Sequence, residues 1–144
     1  MVRKILVAYD TSALSGKAID EAKIQAKLVE NSQLYIVTVV TPGITTNNTA
    51  ASGNLSMNDA EMIYPKLEKI KKALEASGYT VHIEIITDFS QRNPGVAICD
   101  YVEEHAIDMV IVGHRGLSNL KKLFLGSVSG TIVQRAASQV LVIK

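Results

Sequence analysis

Residues 108–116 read Asp108-Met109-Val110-Ile111-Val112-Gly113-His114-Arg115-Gly116. Four consecutive apolar residues, three of them β-branched and none alternating with a polar one, describe a strand buried on both faces, as in parallel sheets. The run stops at two glycines three positions apart, where the backbone can turn sharply or approach another group closely. Working outward, four more strand-length apolar runs occupy residues 4–8, 34–40, 81–87 and 139–143. Between them lie segments with helical spacing, Leu14, Ala18, Ala22, Ala26 and Val29 in one and Ile63, Leu67, Ile70 and Leu74 in another. Strands that alternate with helices imply βαβ crossovers, hence a parallel sheet between two helical layers in an α/β sandwich.

Local signals agree. Ser12 can cap the first helix, Asn93 followed by Pro94 reads as an N-cap with proline at the first helical position, and Ser77-Gly78 marks a helix end. Val81, Ile83 and Ile85 alternate with His82, Glu84 and Ile86, which predicts an edge strand, whereas Val7-Ala8 and Ile111-Val112 read as central. A ligand then belongs at the C-terminal ends of the central strands, where the strand order reverses. The connections after the first and fourth strands, residues 10–12 and 113–126, are placed to supply it.

Composition narrows the function. The chain has 144 residues, 47% of them hydrophobic, with 15 Lys+Arg against 14 Asp+Glu and a formal charge of +1. One domain spanning 1–144 is expected, with enough chain for a full core. Near-neutrality argues against nucleic acid as a partner. The single cysteine, Cys99, cannot form an intramolecular disulfide, and no Cys/His spacing suits a metal, so a reducing, cytoplasmic location is expected. The N-terminal apolar run is short and ends at Asp10, unlike a signal peptide or membrane span, so no membrane partner is expected.

No Walker sequence GxxxxGK[ST] and no dinucleotide fingerprint GxGxxG is present. Instead Gly113-His114-Arg115-Gly116 is followed, after nine residues, by Gly126-Ser127-Val128-Ser129. The second part precedes a helical pattern of Val128, Ile132, Val133 and Ala136. Glycines there would let the backbone approach an anion, and the N–H groups of Ser127, Val128 and Ser129 would point at it with the helix dipole behind them. Hydroxyls of Ser127 and Ser129 can add donors. A plain turn with Ser127 as an N-cap is the other reading of the same residues.

The stretch from Ile111-Val112-Gly113-His114-Arg115-Gly116 through Leu125-Gly126-Ser127-Val128-Ser129 to Val140-Leu141-Val142-Ile143 resembles the universal stress protein family, in its ATP-binding subgroup. The likeness runs from Ile5-Leu6-Val7-Ala8-Tyr9-Asp10 to the end of the chain. It implies a Rossmann-like three-layer fold with a five-stranded parallel sheet in the order 3-2-1-4-5. It also implies ATP as ligand, with Mg or Mn bound alongside. Asp10 matches the family's acid after the first strand, near the nucleotide and able to organise the ion. Val39 matches the apolar residue whose backbone meets the adenine. Val112 and Gly113 lie under the ribose, Arg115 and Gly116 complete the first turn, and Gly126, Ser127, Val128 and Ser129 form the phosphate cradle. Gly130 departs from the family, which usually has an acidic or polar residue there, and the segment after Val40 carries no family consensus.

No nucleophile, base and orienting group can be assembled from the sequence. The function that follows is an ATP-binding regulatory or stress-response protein whose occupancy modulates dimer or partner interactions. A slow ATPase or phosphate-transferring enzyme, and a structural dimer with a vestigial pocket, are the alternatives. Val140-Leu141-Val142-Ile143 is a strongly apolar last strand with nothing after it to cover it, so a homodimer through this strand is expected. Residues 41–54 are polar, uncharged and rich in turn formers, a surface loop or a lid. His82, His105 and His114 read as an edge-strand, a helix-end and a loop residue, and Cys99 as a small buried hydrophobe.

The +1 balance conceals an asymmetry. From residue 109 to 144 there are five basic residues and no acid, so this part carries +5 and the first 108 residues carry −4. The positive part contains both glycine turns, where an anionic ligand meets favourable potential.

Overall fold

A computed structural model describes residues 2–42, 55–90, 92–114 and 126–144. Along these residues the chain forms β1 (Lys4–Ala8), α1 (Ala13–Lys27), β2 (Gln33–Val40), α2 (Met57–Ala76), β3 (Thr80–Thr87), α3 (Pro94–Glu104), β4 (Met109–Gly113), α4 (Ser127–Arg135) and β5 (Gln139–Ile143). The five strands are parallel, in the order β3-β2-β1-β4-β5. This is the expected order, with β1 and β4 inside and β3 at an edge.

Alternation along each strand divides the core into two layers. Ile5, Val7, Leu34, Ile36 and Ile111 face one side, packed with Ala18 and Ala22 of α1 and Ile63, Leu67 and Leu74 of α2. Leu6, Val37, Val39, Val110 and Val112 face the other, against Ile98 and Val102 of α3 and Ile132 of α4. Cys99 belongs to this second layer, and its burial pushes the thiol pKa up, so it is an inert packing group. The first two crossovers run outward from β1 in one direction and the last two in the other, so the strand order reverses between β1 and β4, at whose carboxyl ends sheets of this kind bind ligands.

The caps hold as anticipated. Ser12 Oγ accepts from Ser15 N (3.2 Å), Asn93 Oδ1 accepts from Gly95 N (2.7 Å) with Pro94 next in line, and Gly78 takes φ +94° after α2. At the start of α2 the Asp59 carboxylate reaches back to Ser56, accepting from its N (2.7 Å) and Oγ (2.9 Å). One boundary differs: α1 ends at Lys27, short of Val29. Leu28 N bonds the carbonyl of Gln25 (3.2 Å) and Asn31 turns left-handed (φ +63°), which tightens the chain before the apolar spacing has run out. Among the described residues no helix is long and apolar enough to cross a membrane.

Candidate functional site

At the carboxyl end of β1 the chain must turn at once into α1. Asp10 Oδ1 accepts from Ser12 N (2.9 Å), an Asx-turn that leaves Thr11 at φ +70°. A β-branched residue in the left-handed region is a true outlier, and such backbone persists where the surroundings impose it, often at functional sites. Thr38 Oγ1 donates to the carbonyl of Tyr9 (2.7 Å), tying the ends of β1 and β2 together. Val39, one residue further along β2, is 7% exposed with its side chain in the core, so its backbone is what can meet a ligand.

The end of β4 builds the second half. His114 N donates to the carbonyl of Ile143 (2.8 Å), continuing the β4–β5 ladder past Gly113. The His114 carbonyl then accepts twice, from Gly126 N (2.7 Å) and from Ser129 Oγ (2.8 Å). It thereby holds the start of α4 against the strand end. Gly126 is the N-cap of α4 and, as a glycine, supplies no side-chain cap of its own. The first-turn N–H groups of Ser127, Val128 and Ser129 have no partner within a helix, and they converge on the end of the sheet with the helix dipole behind them. This geometry corrects one expectation. The Ser129 hydroxyl is turned inward, with the residue 1% exposed, and is shared between the carbonyls of His114 and Gly126. Only the exposed Ser127 hydroxyl is free to face a ligand.

The same edge holds unsatisfied groups. Among the described residues three buried side-chain polar atoms have no hydrogen-bond partner: Thr41 Oγ1, Asp88 Oδ2 and His114 Nδ1. They sit at the ends of β2, β3 and β4. Buried polar atoms are rarely left bare, and all three lie at the carboxyl ends of strands, the side of a parallel sheet on which ligands bind. Thr41 and Asp88 escape a sequence reading because neither belongs to a glycine motif, although an acid directly after a strand at the ligand end is a signal of the kind that singled out Asp10.

The structure thus brings Asp10, Val39, Val112, Gly113, Gly126, Ser127, Val128 and Ser129 to one end of the sheet. Arg115 and Gly116 lie outside the described residues, as do residues 43–54 of the segment read as a loop or lid. His82 is exposed on the edge strand and stacks on Tyr35 (ring centroids 4.5 Å apart), and His105 caps the far end of α3, so neither takes part.

The universal stress protein family model matches residues 1–144. A universal stress protein of Bacillus subtilis, YxiE, is 26% identical over 158 residues, covering all of both chains. Among solved structures, the fold is similar to that of the protein MJ0577 of Methanocaldococcus jannaschii, with a TM-score of 0.77, 25% identity and coverage of 99% of this chain and 95% of that one. It is also similar to a universal stress protein of Archaeoglobus fulgidus solved in complex with dAMP, with a TM-score of 0.71, 16% identity and coverage of 100% and 98%.

Proposed function

This chain belongs to the universal stress protein family, and on that footing we propose that it binds an adenine nucleotide, ATP, at the carboxyl edge of its sheet. The observation that carries the reading is the first turn of α4, whose glycine N-cap brings no side chain to its N–H groups and which is anchored through Gly126 and Ser129 to the His114 carbonyl. Open N–H groups at a helix N-terminus suit phosphate, and the +5 charge of residues 109–144 favours it further. The dAMP complex of the Archaeoglobus fulgidus relative supports adenine as the base.

In this reading Gly126, Ser127, Val128 and Ser129 cradle the phosphates, with Arg115 and Gly116 completing the turn. Val112 and Gly113 lie under the ribose, and the Val39 backbone meets the base. Among the described residues no group of three or more His, Cys, Asp or Glu could hold a metal ion. A Mg or Mn ion fits here only as one carried with the phosphates, since magnesium is commonly held by one carboxylate, phosphate oxygens and water. Asp10 would be that carboxylate, and the ion would neutralise phosphate charge.

The protein acts as a single cytoplasmic nucleotide-binding domain, paired with a second copy through the β5 edge, in which occupancy shifts the population of a conformer that partners read. Calorimetric titration with ATP and Mg²⁺ tests the site. Saturable binding is expected, and Gly126→Val, which sets a branched side chain beside the three N–H groups, should abolish it. Absence of binding heat in the wild type would refute the proposal.

A further inference from the structure

Thr41 and Asp88 are far apart in sequence and adjacent in space. Val39 pairs with Ile86 and Val40 with Thr87, and Asp88 N extends the ladder to the Val40 carbonyl (2.9 Å). Thr41 and Asp88 are therefore the next cross-strand neighbours, about 5 Å apart by strand spacing. Each follows by two positions a residue of the core layer on the α3/α4 side, Val39 or Ile86, so alternation places both on the face where α4 presents its first turn.

Both residues are buried, Thr41 fully and Asp88 at 6% exposure, and each keeps one bare oxygen. The other Asp88 oxygen is well supplied. Oδ1 accepts from Ser90 N (3.2 Å) and Ser90 Oγ (2.6 Å) and lies 3.6 Å from Arg92 Nη2, which also pairs with Asp100 (3.2 Å). Ser90 and the guanidinium hold the carboxylate in place while Oδ2 stays unpaired. A fixed acceptor beside a hydroxyl that can donate suits a group with an N–H next to a lone pair, which is the amino edge of a 6-aminopurine.

We propose that Asp88 and Thr41 read the base of the bound nucleotide, with Asp88 Oδ2 accepting from the exocyclic amino group and the Thr41 hydroxyl donating to the neighbouring ring nitrogen. The proposal rests on the nucleotide reading above and adds side-chain contacts to the base beside the Val39 backbone. The span agrees: β3 stands three strand spacings from β4, about 14 Å, so a nucleotide with its phosphates at α4 lays its base toward β2 and β3. In the same pose a 6-oxopurine would set its carbonyl oxygen against the Asp88 oxygen, acceptor against acceptor. Sites built to bond an N–H reject analogues that lack it.

ATP and ITP, which differ at this position of the purine, provide the test. The wild type is expected to bind ATP about ten- to a hundredfold more tightly than ITP, the worth of a hydrogen bond to a charged group. Asp88→Asn, whose amide can donate, should shrink or invert that ratio. Thr41→Val, a change without a net charge, should shrink it as well and serves if the first variant melts early in circular dichroism. Equal affinity of the wild type for ATP and ITP, or an ATP:ITP ratio the same in both variants as in the wild type, overturns the subsite and leaves nucleotide binding standing. A wild type that binds neither overturns both.

Discussion

Gly95 and Val128 meet backbone to backbone. A methyl group on Gly95 would stand 2.8 Å from the Val128 carbonyl oxygen and 2.9 Å from Thr131 Cβ, closer than real side chains approach. The neighbouring Asn93 side chain donates to the Ser127 carbonyl (3.1 Å), so the first turn of α3 is fitted against the first turn of α4. The position of the proposed phosphate cradle is therefore set partly from the opposite end of the β3–β4 crossover.

Gly95→Ala should force these turns apart. Overpacking of this kind costs about 1–3 kcal/mol, and because Val128 belongs to the proposed cradle, ATP binding should weaken in the same variant. Urea unfolding and calorimetry measure the two effects. A variant as stable as the wild type, with ATP affinity intact, would mean that α4 moves aside without consequence.

Ser129 joins α4 to the end of β4 through its buried hydroxyl. Ser129→Ala removes this donor, while Gly126 N still bonds the His114 carbonyl, so a loss of about 1 kcal/mol is expected. Denaturant midpoints of the two proteins give the value. Identical midpoints would place the anchoring of α4 in the Gly126 bond alone.

Alkaline stability should depend on Tyr101. Burial first, then the Glu84 carboxylate and Tyr35, push its phenol up to about 12, whereas an unfolded tyrosine titrates near 10. Between these values the native state keeps a proton that the unfolded chain has released, so this contribution to stability is whole below pH ~10 and is lost as pH rises toward ~12. Tyr9 and Tyr35 are shifted the same way by burial and add to the slope. Tyr101→Phe should flatten the decline without abolishing it, and superimposable stability–pH curves would contradict this assignment.

The β5 edge bears on assembly. Among the described residues Gln139–Ile143 pairs only with β4, and its four apolar residues remain partly exposed. A lysine in place of Val142 should prevent two copies from joining there, turning a dimer into a monomer. Sedimentation velocity distinguishes the species, and equal coefficients for wild type and Val142→Lys would place any interface elsewhere.

Much of the fold was legible because its signals are local. Unbroken apolar runs at Val110–Val112 and Leu6–Val7 mark buried strands, and the periodicity at Ile63, Leu67 and Leu74 marks the face of α2 that packs inward. The glycine before Ser127 correctly marked a helix start. At Val29 an apolar residue continues the helical spacing beyond the backbone turn that ends α1, since periodicity reports which face is apolar and not where hydrogen bonding stops.

The sequence by itself determined the succession of strands and helices and the residues that turn the chain at the ligand end, because apolar period, caps and glycines act within a few positions. Only the tertiary structure decided how distant residues use those positions. It turned the Ser129 hydroxyl inward onto His114, pressed Gly95 against Val128, and set Thr41 beside Asp88 with an unpaired oxygen on each. Each of these follows from strand register and helix packing between segments far apart in the chain, where no local pattern of residues carries the information.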